Sequence, residues 1–323
     1  MSVCGRFCKK VLHGQQKLMS MTGNLINNKI KLNKDFKMSY MSGKEMINEA
    51  WTNGYAIGAF TAHNAETIKA VLLAAQEEQS PIMLQIGQKA INEMGMKPLR
   101  EMVDSLIQHL NITVPICIHL DHSRKFEQCM EAATYDFQSL MFDGSALPFE
   151  ENIRITKAVA AVAAALGTGS EGEIGKLGGT EDDITVDEKD AMITTVDEAV
   201  TFSERTGIDY LAVSIGTAHG LYKTTPELKL DRLTEIKEAV KKPIVLHGGS
   251  GVPDDQVIEA VKRGVAKVNV DTELRHAFIK GVQGHWAKNP NDFILADVMN
   301  TGIAAMKVVV QQKIRLFGSN GKA

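Results

Sequence analysis

IVLHGGSGVP (244–253) is an apolar β-type run that stops on a histidine and passes directly into small residues. Two further stretches share that pattern, ICIHLDHS (116–123) and IGTAHGLYK (215–223). Their histidines, His122, His219 and His247, lie on three separate segments, so neither a helical repeat nor one loop groups them. A fold that collects strand ends in one place would bring them together. Three imidazoles form a catalytic zinc set with an open fourth position, whereas structural zinc sites are usually closed by four protein ligands.

Outward from these stretches, short apolar runs alternate with amphipathic ones. YAIGAF (55–60), PIMLQI (81–86), VPICIHL (114–120), SLMFDG (139–144), SEGEI (170–174), YLAVSI (210–215), PIVLHG (243–248) and AKVNV (266–270) read as strands. The first is followed by a helix that opens at Asn64, a good N-cap, with Glu66 in its first turn. Further helices are expected near 96–110, 124–134, 150–166, 196–206, 231–240, 254–263 and 272–283, with a polar loop after the fifth strand. Residues 55–283 thus hold eight β-then-α units of roughly 29 residues, close to the 31 or so expected when about 250 residues form eight units. A doubly wound sheet would show fewer units and a glycine-rich turn after its first strand. Here that strand ends in AFTAHN, without glycine. The expected fold is a (β/α)8 barrel, with residues 284–323 as a C-terminal helical addition. Catalytic groups of such barrels sit at the C-terminal strand ends. Asp121, His122, Asp143, Glu171, Glu173, His219, His247, Asn269 and Asp271 all fall there.

A chain of 323 residues can bury a large core. Its net charge of −3 gives no reason to expect nucleic acid or an anionic membrane as partner. No apolar stretch reaches the roughly 20 residues of a membrane helix. Cys4, Cys8, Cys117 and Cys129 show neither CxxC spacing nor a disulfide framework. Cys117 in a strand and Cys129 in a helical stretch read as reduced packing residues, which fits a cytoplasmic protein. Residues 1–37 are basic, with Asp35 as their one acid. They resemble an organellar presequence in composition. Met38 and Met41 could each open a complete domain, however, and the expectation is a disordered extension (1–37) ahead of the barrel (38–323).

His63, His109, His119, His276 and His285 read as ordinary packing or surface histidines. His219-Gly220 with Lys223, and His247-Gly248-Gly249-Ser250-Gly251, set bare backbone N–H groups beside an ammonium and a hydroxyl. Phosphate is cradled in this way without a full Walker loop, and barrels often hold it with the loops after strands seven and eight. Asp121 is either an acceptor that holds His122 or a general acid/base. Asp143 and Glu173 suit supporting positions around a metal. Glu181 stands in a glycine-bordered loop, GKLGGTEDD (175–183).

HLDHS (119–123), DGSALPFEEN (143–152), EGEIGKLGGTEDD (171–183), AVSIGTAHGLY (212–222), LHGGSGVP (246–253) and KVNVDTELR (267–275) together resemble the class II, metal-dependent ketose-bisphosphate aldolases. The likeness runs in order over nearly the whole chain after Met38. It implies a homodimeric or homotetrameric barrel with one Zn2+ per subunit, and admits a monovalent cation. Residue by residue, it implies His122, His219 and His247 as zinc ligands, Asp143 and Glu173 as supporting or alternate ligands, and Asp121 as the catalytic aspartate. Glu181 would be the acid of an active-site loop. Gly220, Lys223, Gly248, Ser250, Asp271 and Thr272 would bind the dihydroxyacetone phosphate portion, with Asn269 beside the enediolate. Arg275 matches an arginine that reaches a distal phosphate in some members. Thr61, Gly87 and Ala146 depart from the family pattern, all toward the aldehyde half of the substrate. The implied activity is aldehyde-lyase cleavage of a fructose-1,6-bisphosphate-like ketose to dihydroxyacetone phosphate and an aldehyde. Tagatose bisphosphate, or a ketose 1-phosphate with a different acidic tail, is the alternative. A catalytically dead binding barrel would have lost a ligand or Asp121, and a zinc hydrolase does not account for two phosphate-type loops.

Overall fold

The eight apolar runs become eight parallel strands: β1 (Ile57–Thr61), β2 (Ile82–Ile86), β3 (Ile116–Ser123), β4 (Ser139–Phe142), β5 (Gly169–Ile174), β8 (Tyr210–Val213), β10 (Ile244–Leu246) and β11 (Val265–Val270). They close in that order, β11 pairing back onto β1 from Ile57 with Lys267 to Phe60 with Val270. The computed structural model describes residues 40–323 except 176, 177, 182, 183, 187–192, 221, 223 and 224, and only the backbone of 178–181, 184–186 and 219. The 1–37 extension therefore lies outside the described residues. Residues Met41–Ala323 form one compact unit.

Alternation with period two decides what fills the barrel. Ile57, Ala59, Met83, Cys117, Tyr210, Ala212 and Val245 form an apolar cluster with Met46, Ile47 and Ala50. The last three belong to α1 (Gly43–Asn53), a helix that precedes β1 and was not expected. Its signal was present in Ser42-x-x-Glu45, and the Ser42 side chain accepts from the Glu45 amide at 3.2 Å.

Around the barrel run α2 (Ala65–Glu78), α3 (Gln88–Met94), α4 (Met96–His109), α5 (Phe126–Thr134), α6 (Phe149–Leu166), α7 (Val196–Thr206), α8 (Leu230–Val240), α9 (Asp254–Lys262) and α10 (Thr272–Lys288). Asn64 caps α2 as read from the sequence, in a reciprocal box with Thr67. The C-terminal addition is α11 (Leu295–Phe317), which packs on α2 and α10. Lys307–Glu77 (2.7 Å) and Arg315–Glu78 (2.6 Å) join it to α2. Cys117 and Cys129 are free and buried, and burial pushes the Cys129 thiol up to about 12. Among the described residues no helix is long and apolar enough to cross a membrane.

The polar loop expected after strand five is in part a hairpin. β6 (Gly178–Glu181) pairs antiparallel with β7 (Ile184–Val186), and parallel with β9 (Ala218–His219) through Gly178↔Ala218 and Gly179↔His219. The β-branched run ITV (184–186) is the sequence reason. This small sheet ties the segment of Glu181 to the segment of His219.

Candidate active site

At the end of β3, regular alternation would send Asp121 and His122 to opposite faces. The β3–β4 register shifts between Leu120 and Ser123, and His122 takes a left-handed φ of 45°. For a non-glycine residue that conformation is strained, and such strain concentrates at functional sites. With it, both side chains are buried at the barrel mouth.

His122 and His247 then meet edge to face, with ring centroids 4.7 Å apart. His122 Nδ1 lies 3.0 Å from Asp143 Oδ2 and 3.6 Å from Glu173 Oε2. His247 Nε2–H donates to Glu171 Oε1 at 2.7 Å, and His247 Nδ1 lies 3.3 Å from Glu173 Oε2. One ligand atom each from His122, Glu173 and His247 falls within 4.8 Å of the others, all three residues being buried. Burial works against a proton on His247 more strongly than Glu171 favours one, so this imidazole stays neutral below the ordinary histidine range. For Asp143 burial opposes the charge, but His122 and the hydroxyl and amide of Ser145 outweigh it and hold the carboxyl well below its usual range. Imidazoles fixed from behind by carboxylates, together with a third carboxylate, form a nitrogen–oxygen donor set that fits zinc.

Asp121 sits beside that cluster. Its Oδ2 accepts from Gln85 Nε2 at 3.1 Å, its Oδ1 from Asn269 Nδ2 at 3.5 Å, and its backbone carbonyl from Gln88 Nε2 at 2.9 Å. Two side-chain amides thus hold a carboxylate in one orientation.

Across the mouth, Tyr222 joins the two glycine loops: its hydroxyl accepts from Ala218 N and donates to Gly248 O, both at 2.9 Å. Gly248 has φ 63°, and a Cβ there would press on the Ala218 backbone. Gly248→Ala should therefore destabilise the fold by about 2 kcal/mol or more. Urea denaturation measures it, and an unchanged midpoint would show that the loop rearranges freely. Ser250 Oγ accepts from the amides of Asp271 (3.3 Å) and Glu273 (3.4 Å) at the start of α10, where Thr272 is also buried. Arg275 pairs with Asp271 through Nε–Oδ1 at 3.0 Å and Nη2–Oδ2 at 2.6 Å.

The structure thus gathers Asp121, His122, Asp143, Glu173, His247 and Asn269. It places Gly248, Ser250, Asp271, Thr272 and Arg275 along the β10 and β11 loops, and Gly220 at the end of β9. Glu173 stands within the ligand cluster. Lys223 and the side chains of His219 and Glu181 lie outside the described residues. Sequence reading passed over Gln85, Gln88 and Lys267. It also set aside His63, which ends as a rim residue with Nε2 3.3 Å from Asp271 Oδ1. A glutamine within PIMLQI and a lysine within AKVNV were the signals, since polar groups in all-buried strands need partners.

Fold and site together define a (β/α)8 enzyme whose strand ends carry a metal-type ligand cluster beside a buried carboxylate. The family described as class-II fructose-bisphosphate aldolase matches residues 41–322. The chain is 54% identical over 286 residues to the sulfofructosephosphate aldolase of Alkalicoccus urumqiensis, covering 88% of this chain and 99% of that protein. It is 42% identical over 287 residues to the fructose-bisphosphate aldolase of Geobacillus stearothermophilus, with the same coverage of each. The crystal structure of the YdjI aldolase from Escherichia coli K12 superposes with a TM-score of 0.77 at 35% identity, covering 88% of this chain and 99% of that one. The chain belongs to the class II fructose-bisphosphate aldolase family and is an aldolase, a carbon–carbon lyase.

Proposed function

We propose that this aldolase is zinc-dependent and cleaves a ketose 1-phosphate whose far end carries an anion, a sulfonate in preference to a phosphate. The observation that carries the choice is the 54% identity to the sulfofructosephosphate aldolase, against 42% to the fructose-bisphosphate aldolase over the same span. The changes at Thr61, Gly87 and Ala146, toward the aldehyde half, agree with a tail other than phosphate. The products would be dihydroxyacetone phosphate and a three-carbon aldehyde bearing the anion.

His122, His219 and His247 would hold the zinc, with Glu173 as a further or alternate ligand. When bound, the metal acts as a Lewis acid that polarises the ketose carbonyl and offsets the charge left by C3–C4 cleavage. Asp121 takes the proton of the C4 hydroxyl. The C3–C4 electron pair stays with the dihydroxyacetone phosphate half, and Glu181 delivers a proton to C3. Asn269 orients the reacting carbons, while Gly220, Lys223, Gly248, Ser250, Asp271 and Thr272 bind the phosphate half through backbone N–H groups and side-chain polar groups.

Release of dihydroxyacetone phosphate from sulfofructose 1-phosphate, fructose 1,6-bisphosphate, tagatose 1,6-bisphosphate and fructose 1-phosphate tests the reading. The sulfonate should give the highest kcat/KM. A tenfold advantage for fructose 1,6-bisphosphate would replace it with the fructose reading. Arg275, engaged with Asp271, is the second probe. Loss of a half-exposed ion pair is worth about 1 kcal/mol, so Arg275→Ala should raise KM about fivefold for tailed and tail-less ketoses alike. A loss confined to the substrates with an anionic tail would instead put the guanidinium on that tail.

A further inference from the structure

Lys267 lies midway along β11, and its ammonium is fully buried inside the barrel. Its Nζ is 2.8 Å from Glu171 Oε2, 2.7 Å from Asn269 Oδ1 and 3.4 Å from His119 Nε2. These contacts are all to protein groups, one of them Asn269 of the site, so whatever Lys267 does for the chemistry runs through them. An ammonium, however, has only protons to give. Every group that faces it must therefore accept, and that requirement passes outward along three lines.

The first line is Asn269. With Oδ1 bound to Lys267, its Nδ2 is turned to the other side, where it donates to Asp121 Oδ1. The second is Glu171. Its Oε2 meets the Lys267 ammonium at 2.8 Å, and its Oε1 faces His247. As an anion it accepts the Nε2 proton of His247, which leaves Nδ1 as the lone-pair nitrogen on the Glu173 side. The third is His119. Its Nε2 accepts from Lys267, so its proton resides on Nδ1 and goes to Ser139 Oγ at 2.6 Å; Ser139 in turn hydrogen-bonds Tyr210. Burial and then the Lys267 charge keep this imidazole neutral.

We infer that Lys267 is a positioning residue that sets the hydrogen-bond polarity of the whole site: the amide direction of Asn269 and the tautomers of His247 and His119. It acts through these groups and touches no substrate. Only the expected change in metal affinity rests on the metal reading above; the tautomers and the amide direction stand without it.

The test begins with unmodified protein. In the metal-free form, 15N-histidine NMR should show His247 as the Nε2–H tautomer and His119 as the Nδ1–H tautomer. The opposite tautomers would overturn the inference without any variant. The second arm uses the double substitution Lys267→Met with Glu171→Gln, which removes both buried charges together and so leaves no unpaired ion in the core. In that variant the tautomers should become mixed. Its Zn2+ dissociation constant, from competition with a chromophoric chelator, should weaken about 10–100-fold. Its kcat should fall while KM for the ketose stays within about threefold. A folded variant with wild-type tautomers, wild-type Zn2+ affinity and wild-type kcat would make Lys267 a core ion pair and no more. If the variant does not fold, the spectrum of the unmodified protein decides. If that protein does not bind Zn2+, the metal reading fails while the tautomer arm still judges Lys267.

Discussion

His247→Ala is expected to leave a folded barrel that cannot retain stoichiometric zinc and whose kcat falls about 10³-fold or more. The ring is fully buried and held from behind by Glu171, and His122 and Glu173 converge with it on one small volume. Alanine removes one donor, and no other described side chain replaces it within that cluster. Stabilisation of developing charge by a metal is worth several kcal/mol, and each 1.36 kcal/mol is a decade of rate. Metal content by plasma mass spectrometry and steady-state turnover measure the two effects together. Chelated wild-type protein should fall to the same activity floor, and added zinc should restore it but not the variant. Full occupancy and full turnover in His247→Ala would move the metal elsewhere.

The barrel was legible because eight apolar runs recur along the chain with helix signals between them, and every run became a barrel strand at its expected place. The strand-end position of Asp121, His122, Asp143, Glu173 and His247 followed from that count. Their orientation did not. Period-two alternation puts Asp121 and His122 on opposite faces, and only the bulge and the left-handed φ of His122 bring both inside. No local propensity announces such a bulge, because the pairing with β4, twenty residues on, creates it. Glu173 was equally opaque: whether a strand-end carboxylate supports a ligand or is one depends on ångström distances across the barrel. Lys267 and Gln85 were visible as polar letters in apolar strands. Reading them needed the partner across the barrel, Glu171 for one and Asp121 for the other, and pattern alone does not supply that register. The α1 helix was missed although Ser42 and Glu45 signal its start.

Asp121→Asn should separate proton transfer from metal holding. The side chain keeps its shape, and the clustered ligand atoms belong to His122, Glu173 and His247, so metal content should stay at the wild-type level. An amide cannot take the C4 hydroxyl proton, and a positioned general base contributes roughly 10²–10⁴-fold, so kcat should fall by that factor. The surroundings sharpen the expectation. Gln85 and Asn269 both point N–H groups at the two carboxylate oxygens. A carboxylate satisfies both, whereas asparagine must turn its own N–H2 against one of them and leave a buried donor unmatched. That mismatch costs about 1–3 kcal/mol, and thermal unfolding should report it as a lowered Tm in the metal-loaded variant. KM for the ketose should change little, because on the proposed reading the phosphate half would be bound by the β9, β10 and β11 loops. A variant that keeps its turnover would exclude Asp121 as the base. One that loses zinc along with turnover would make Asp121 the group that holds His122 in place, and the C4 hydroxyl proton would then have to leave through another residue.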